Sequence, residues 1–148
     1  VTPFTDVREV EELLVRWNAL RVTEIYRRTN FATQRDAAMA RWASLAPHTP
    51  ADEHFIDFRV TRAVTALAEL MEFEDRTTHA YEQCRVDLES AATLDGKARA
   101  KALGRLRDVA QRAIRQDMRH LATLTSTYQY ELDELVDFVD ERESDTLR

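Results

Sequence analysis

Apolar residues recur along this chain at alternating intervals of three and four. Leu67, Leu70, Tyr81, Cys84, Leu88 and Ala91 share one such phase, and Ile114, Met118, Leu121, Tyr128, Leu132, Leu135 and Val139 share another. That period draws one stripe along each of two long helices, which bury the stripes against each other as a seam. Between the two runs the one strong breaker is Asp95-Gly96, a turn-forming pair. The pattern predicts a helical hairpin from Val60 to Val139, bent at Asp95-Gly96. Glu74 and Thr77 interrupt the first stripe and Thr125 the second, polar positions of the kind that set register between helices.

Upstream, Val10, Leu13, Trp17 and Leu20 form a stripe that Phe31, Ala38, Trp42 and Leu45 resume, with Glu24 and Arg27 at core-like positions between them. Thr5 or Asp6 can cap this helix, with Pro3 just outside it. Thr29-Asn30 marks a place for a kink, because both side chains compete for backbone hydrogen bonds. Ala46-Pro47-His48-Thr49-Pro50 is a connection, since two prolines so close together cannot continue a helix. Thr49 is placed to cap the next helix, Pro50 to occupy its first position, and Asp52 and Glu53 to favour its positive end. Helices over about residues 5–45, 50–93 and 97–143 follow, in a single domain spanning 1–148. Short connections make neighbours antiparallel. The expected fold is all-α: an elongated, antiparallel three-helix coiled-coil bundle running up, down and up. So thin a bundle leaves apolar surface, and a second copy is expected to cover it as a homodimer.

Composition agrees with helix. With 44% hydrophobic and 32% charged residues, two glycines and three prolines in 148, little is left for sheet or irregular loops. No apolar run approaches the ~20 residues that span a bilayer, and the start lacks the basic-then-apolar pattern of an export signal. A soluble, cytoplasmic protein is expected. The chain starts without methionine and ends inside charged helical sequence, which suits a piece of a longer protein. The lone cysteine, Cys84, lies on the seam, where a small buried thiol is the expected role, and no disulfide framework exists.

Net charge is −6, which argues against non-specific nucleic-acid binding. Its distribution is uneven. From Lys97 to Arg119 stand eight basic residues (Lys97, Arg99, Lys101, Arg105, Arg107, Arg112, Arg115 and Arg119) against Asp108 and Asp117. The run begins at the hairpin tip, where side chains can reach a flat anionic surface. Lys97, Arg99, Lys101, Arg105, Arg107, Arg112 and Arg115 are the candidate membrane-binding residues. The competing arrangement is internal: antiparallel pairing about Asp95-Gly96 sets Glu82, Asp87 and Glu89 roughly opposite Arg107, Arg105 and Lys101, and ion pairs there would leave fewer cations free. From Glu131 to Asp145 stand eight acids and one arginine, and Arg27, Arg28, Arg35 and Arg41 are available to neutralise them.

Catalytic chemistry finds little support. Asp117 and His120 have the spacing of half a di-metal carboxylate–histidine motif, but Glu74 and His79 are one residue too far apart to complete it. No glycine-rich phosphate loop, glycine-flanked serine or Cys–His constellation occurs. Neither enzyme activity, metal nor cofactor is expected, and Trp17, Trp42, Tyr81 and Tyr128 are assigned to the core.

The segment Tyr130-Glu131-Leu132-Asp133-Glu134-Leu135-Val136-Asp137-Phe138-Val139-Asp140-Glu141-Arg142 resembles the last helix of BAR domains of the sorting-nexin type. Phe73-Glu74-Asp75-Arg76, with Ala80-Tyr81 and Leu88, is similar to that family's second helix, and Phe31 to Leu45 resembles the end of its first. The resemblance implies a crescent-shaped, non-enzymatic homodimer that binds curved anionic phospholipid membrane, peripheral on endosomes, with Lys97, Arg99, Lys101 and Arg105 in the family's basic tip. The helices are shorter than usual there, no phosphoinositide-binding domain accompanies them, and the net charge is acidic. The alternative is a spectrin-repeat-like coiled-coil adaptor or assembly subunit whose partners are other coiled-coil proteins.

Overall fold

The computed structural model describes residues 5–45 and 47–146; Pro3 and Ala46 lie outside them. The chain is all-α, with three long helices packed as a bundle. The first is α1 (Val7–Ser44), the second α2 (Pro50–Ala92), and the third runs through α3 (Gly96–Arg112), a π-helical turn (Ala113–Asp117) and α4 (Met118–Thr146). Local chemistry sets each start. The Asp6 carboxylate accepts the Glu9 N–H at 2.8 Å, and the Thr49 hydroxyl accepts that of Asp52 at 3.1 Å, each satisfying a donor the first turn leaves without a partner. Helix α1 passes through Thr29-Asn30 without a break, the Thr29 hydroxyl donating to the Ile25 carbonyl. At the second turn Asp95 is extended and Gly96 takes φ +56°, a conformation that costs glycine nothing and any other residue about 1 kcal/mol or more.

Packing divides the chain into two compact units, Val1–Glu24 with Glu72–Ala122, and Ile25–Met71 with Thr123–Arg148. In the first unit Trp17 meets Tyr81 edge-on at 5.5 Å. Arg21 lies over the same Tyr81 ring and donates to Thr78 and Asn18. The buried stripe of α1 here is Val10, Leu14, Trp17 and Glu24. Leu14 replaces the expected Leu13, and Leu20 is exposed. Glu74 and Thr77 are buried on α2 as expected, and neither Glu24 nor Glu74 is without a partner.

The third helix departs from the sequence pattern at one place. Leu103, Leu106, Ala110 and Ala113 are buried, then Met118, Leu121, Thr125, Tyr128, Leu132, Leu135 and Val139. The step from Ala113 to Met118 is five residues where a regular seam takes four. The π turn absorbs the extra residue, its wider winding marked by the Met118 N–H reaching back to the Ala113 carbonyl. Ile114, expected in the seam, is half-buried, and Ala113 has its place.

In the second unit the acidic α4 is answered by arginines from both neighbours. Arg62 donates to both oxygens of buried Glu131 at 2.9 and 3.0 Å. Arg59 reaches Glu134, Arg41 reaches Asp140 and Glu143, and Arg142 reaches Asp52. Of the arginines expected in this role, Arg41 takes it. Helix α2 contributes Arg59 and Arg62. At the α1–α2 connection His48 stacks on Trp42 at 4.1 Å and places its ring nitrogens against the Trp42 carbonyl and the Glu53 carboxylate.

Candidate functional site

Helix α3 buries Leu103, Leu106 and Ala110. At 100° per residue, Lys97, Lys101, Arg105 and Arg112 fall together on the opposite side, at i, i+4, i+8 and i+15, and all four are exposed. Asp108 lies in the same strip. The helix is thus amphipathic in a particular sense, with apolar residues toward the bundle and cations outward.

The competing neutralisation by α2 is not seen among the described residues. Glu82 pairs with Arg85 one turn along its own helix, at 3.2 Å. Asp87 accepts from Gln83 at 2.9 Å and shares a hollow of about 280 Å³ with Arg105 without an ion pair. Glu89 faces the α1 side of α2, beside Glu11 and Leu14. Among the described residues no carboxylate lies within 4 Å of Lys97, Arg99, Lys101, Arg105, Arg112 or Arg115.

The other candidates are placed differently. Arg107 turns inward and donates to the Thr5 hydroxyl at 2.7 Å, with Asp108 at 3.5 Å. Arg99 is exposed beside Thr5, Asp6 and Leu103 rather than on the outer strip. Arg115, on the π turn, is exposed, its Nε donating to the Gln111 carbonyl at 3.4 Å. Arg119 is not without a partner. The outward cationic strip therefore consists of four of the seven candidates. Helical phase separates Arg99 and Arg107 from the strip, which the count of basic residues ignores, and Arg115 stands beyond α3 on the π turn.

The remaining chemistry-bearing groups are quiet. His120 packs edge-on against Phe73 at 4.6 Å, and His79 donates through Nδ1 to the Asp75 carbonyl. Among the described residues no three His, Cys, Asp or Glu side chains converge as metal ligands. Cys84 is buried, and burial first and Asp87 second push its thiol above the ordinary range, which keeps it protonated and unreactive. Among the described residues no helix is long and apolar enough to cross a membrane.

Compared with protein-family models, curated proteins and solved structures, the chain matches none.

Proposed function

We propose that this bundle is a non-enzymatic docking module that holds an anionic phospholipid surface through the outer strip of α3. The observation that carries the reading is the set of four exposed cations, Lys97, Lys101, Arg105 and Arg112, on one side of one helix with no carboxylate partner among the described residues. Each cation held near an anionic bilayer is worth about 1 kcal/mol. Four acting together, less the repulsion of Asp108, amount to roughly a hundredfold or more in affinity. The attraction falls off within a Debye length of about 10 Å at 0.1 M salt, so binding must weaken as salt rises.

In its fuller form this is the BAR-like reading: a homodimer, peripheral on membrane, presenting the α2–α3 turn to the lipid. Support comes from the three-helix bundle, from the cations at the turn, and from exposed apolar side chains in the second unit, Phe58, Val64 and Tyr130, which a second copy would cover. Co-sedimentation with phosphatidylserine-containing vesicles at 50 and 300 mM salt tests the reading. Binding is expected at the lower salt, with a tenfold or greater loss at the higher. Changing Lys97, Lys101, Arg105 and Arg112 together to Glu abolishes it at an unchanged melting temperature. Failure to bind, or binding indifferent to the charge reversal, sinks the reading; light scattering tests the dimer separately.

The adaptor reading is favoured by a different feature, the groove between α1 and α2.

A further inference from the structure

Within the first unit hollows of unequal size open between the helices among the described residues. Those bordering α3, against α2 and against α1, measure about 280 and 260 Å³. Another lies between α1 and α2 and measures about 490 Å³. Its floor is apolar, built from Leu14, Tyr81 and Leu88. Val15, 71% exposed, forms one wall and Ala92 the other. Among the described residues no large apolar side chain stands further into solvent than Val15. The groove follows α1 from Val7 to Val15, about 12 Å at 1.5 Å per residue. That is two to three turns of a helix lying alongside.

The rim is charged. Glu11 stands on the α1 side and Glu89 on the α2 side, both exposed and neither in an ion pair among the described residues. Arg85 also reaches the rim, but Glu82 neutralises it at 3.2 Å. The trough is therefore apolar at the bottom and net negative at both edges.

We infer that this α1–α2 groove receives a short amphipathic helix of another protein, apolar at i, i+3 or i+4 and i+7, with lysine or arginine along both flanks. Two parallel ridges of side chains about one helix apart are what a further helix packs into. The acidic edges select the flanking charge, since a like-charged helix meets repulsion on both sides. The site is separate from the cationic strip of α3 and requires an opposite partner charge, so the two proposals stand or fall independently.

The test uses an 18-residue leucine–lysine model helix with leucine at the helical spacing, a scrambled-phase control of equal composition, and a leucine–glutamate counterpart. Calorimetric titration of the full chain is expected to show binding of the in-phase lysine peptide, at least tenfold tighter than the scrambled one. Exchanging Glu11→Lys and Glu89→Lys lowers affinity for the lysine peptide at least tenfold and raises that for the glutamate peptide. Val15→Asn weakens both variants' binding severalfold. These positions are exposed, and an unchanged thermal melt confirms that each variant folds. Equal binding of the scrambled peptide, or indifference to the charge exchange, overturns the inference. So does sedimentation showing a dimer that Val15→Asn makes monomeric, since the occupant would then be a second copy.

Discussion

Helices α3 and α4 continue one another through the π turn and carry charge of opposite sign, yet they treat it in opposite ways. On α3 the cations Lys97, Lys101, Arg105 and Arg112 stand outward and, among the described residues, pair with no carboxylate. On α4 the carboxylates of Glu131, Glu134 and Asp140 are met by Arg62, Arg59 and Arg41 from the two neighbouring helices. The buried sides differ as well. Helix α3 buries only Leu and Ala, whereas α4 includes Thr125, Tyr128 and Glu131 among its buried residues. A run of like charge is therefore not in itself a site. What decides is whether the facing helix turns its opposite charges toward the run. On α2, Arg59 and Arg62 face α4, while Glu82, Asp87 and Glu89 are turned along their own helix or toward α1.

The largest effect expected from this comparison concerns the seam. Deleting Gln129 from α4 rotates everything beyond it by 100°, carrying Leu132, Leu135 and Val139, all 0% exposed, off the core. At about 1.5–3 kcal/mol for each buried side chain, the loss rivals the whole stability of a domain this size, and no cooperative melt is expected. Deleting exposed Gln116 from the π turn does the opposite. Ala113 and the residue now Met118 become four apart, α-helical bonding closes, and both stripes keep their phase. A melting temperature within a few degrees of the parent is expected from calorimetry. Equal damage from the two deletions would refute the assignment of the extra residue to the π turn.

The next effect sharpens the difference in charge. Arg62→Ala strands the Glu131 carboxylate, 7% exposed, without its bidentate partner. Breaking a pair on one side only is the costly way to break it, and a fall in melting temperature of roughly 5 °C is expected. Arg105→Ala removes a cation that pairs with nothing among the described residues and should leave the melt within about 1 °C. Thermal denaturation of the two single variants checks this directly. A comparable fall for Arg105→Ala would mean that the α3 strip is part of the fold rather than free for a ligand.

Much of this was legible before any coordinates. The three helices, both connections, the caps at Asp6 and Thr49 and the buried Glu74, Thr77 and Thr125 all follow from spacing and turn chemistry. Not every seam position did: Leu13, Leu45, Leu67 and Ile114 are only half-buried and Leu20 is exposed. At the start of α1 both Leu13 and Leu14 fit an apolar stripe. The regular phase through Leu14 and Trp17 runs on through Arg21, which an apolar pattern rejects. Arginine is accepted there because its stem packs while its head reaches the Tyr81 ring and Thr78. On the third helix, extending the Met118 phase backward through Ile114 would bury Gln111 and Arg107, whereas Leu103, Leu106 and Ala110 follow another phase. That conflict was the visible trace of the π turn. The charge run was equally plain, but the orientation of the α2 carboxylates depends on how α2 is rotated in the bundle, which no count of charges contains.

The smallest expected effect tests the buried polar side of α4. Tyr128 is 0% exposed, packs edge-on against Phe31 at 6.2 Å, and its hydroxyl has no hydrogen-bond partner among the described residues. A buried hydroxyl without a partner costs stability rather than adding it, so Tyr128→Phe should raise stability at neutral pH by up to about 1 kcal/mol. Alkaline pH separates this from a packing effect. Burial pushes the phenol above its ordinary range of about 10, with Arg35 pulling it down more weakly and without hydrogen-bond geometry. The folded chain then holds the proton more tightly than the unfolded one. The resulting stabilisation relative to the ionising unfolded chain is full below the unfolded pKa and is lost as pH rises past it toward the folded pKa. Chemical denaturation at pH 7 and pH 10.5 should therefore show the advantage of Tyr128→Phe growing at the higher pH. A loss of stability at pH 7 would mean that the hydroxyl is satisfied in solution and that burying it carries no cost.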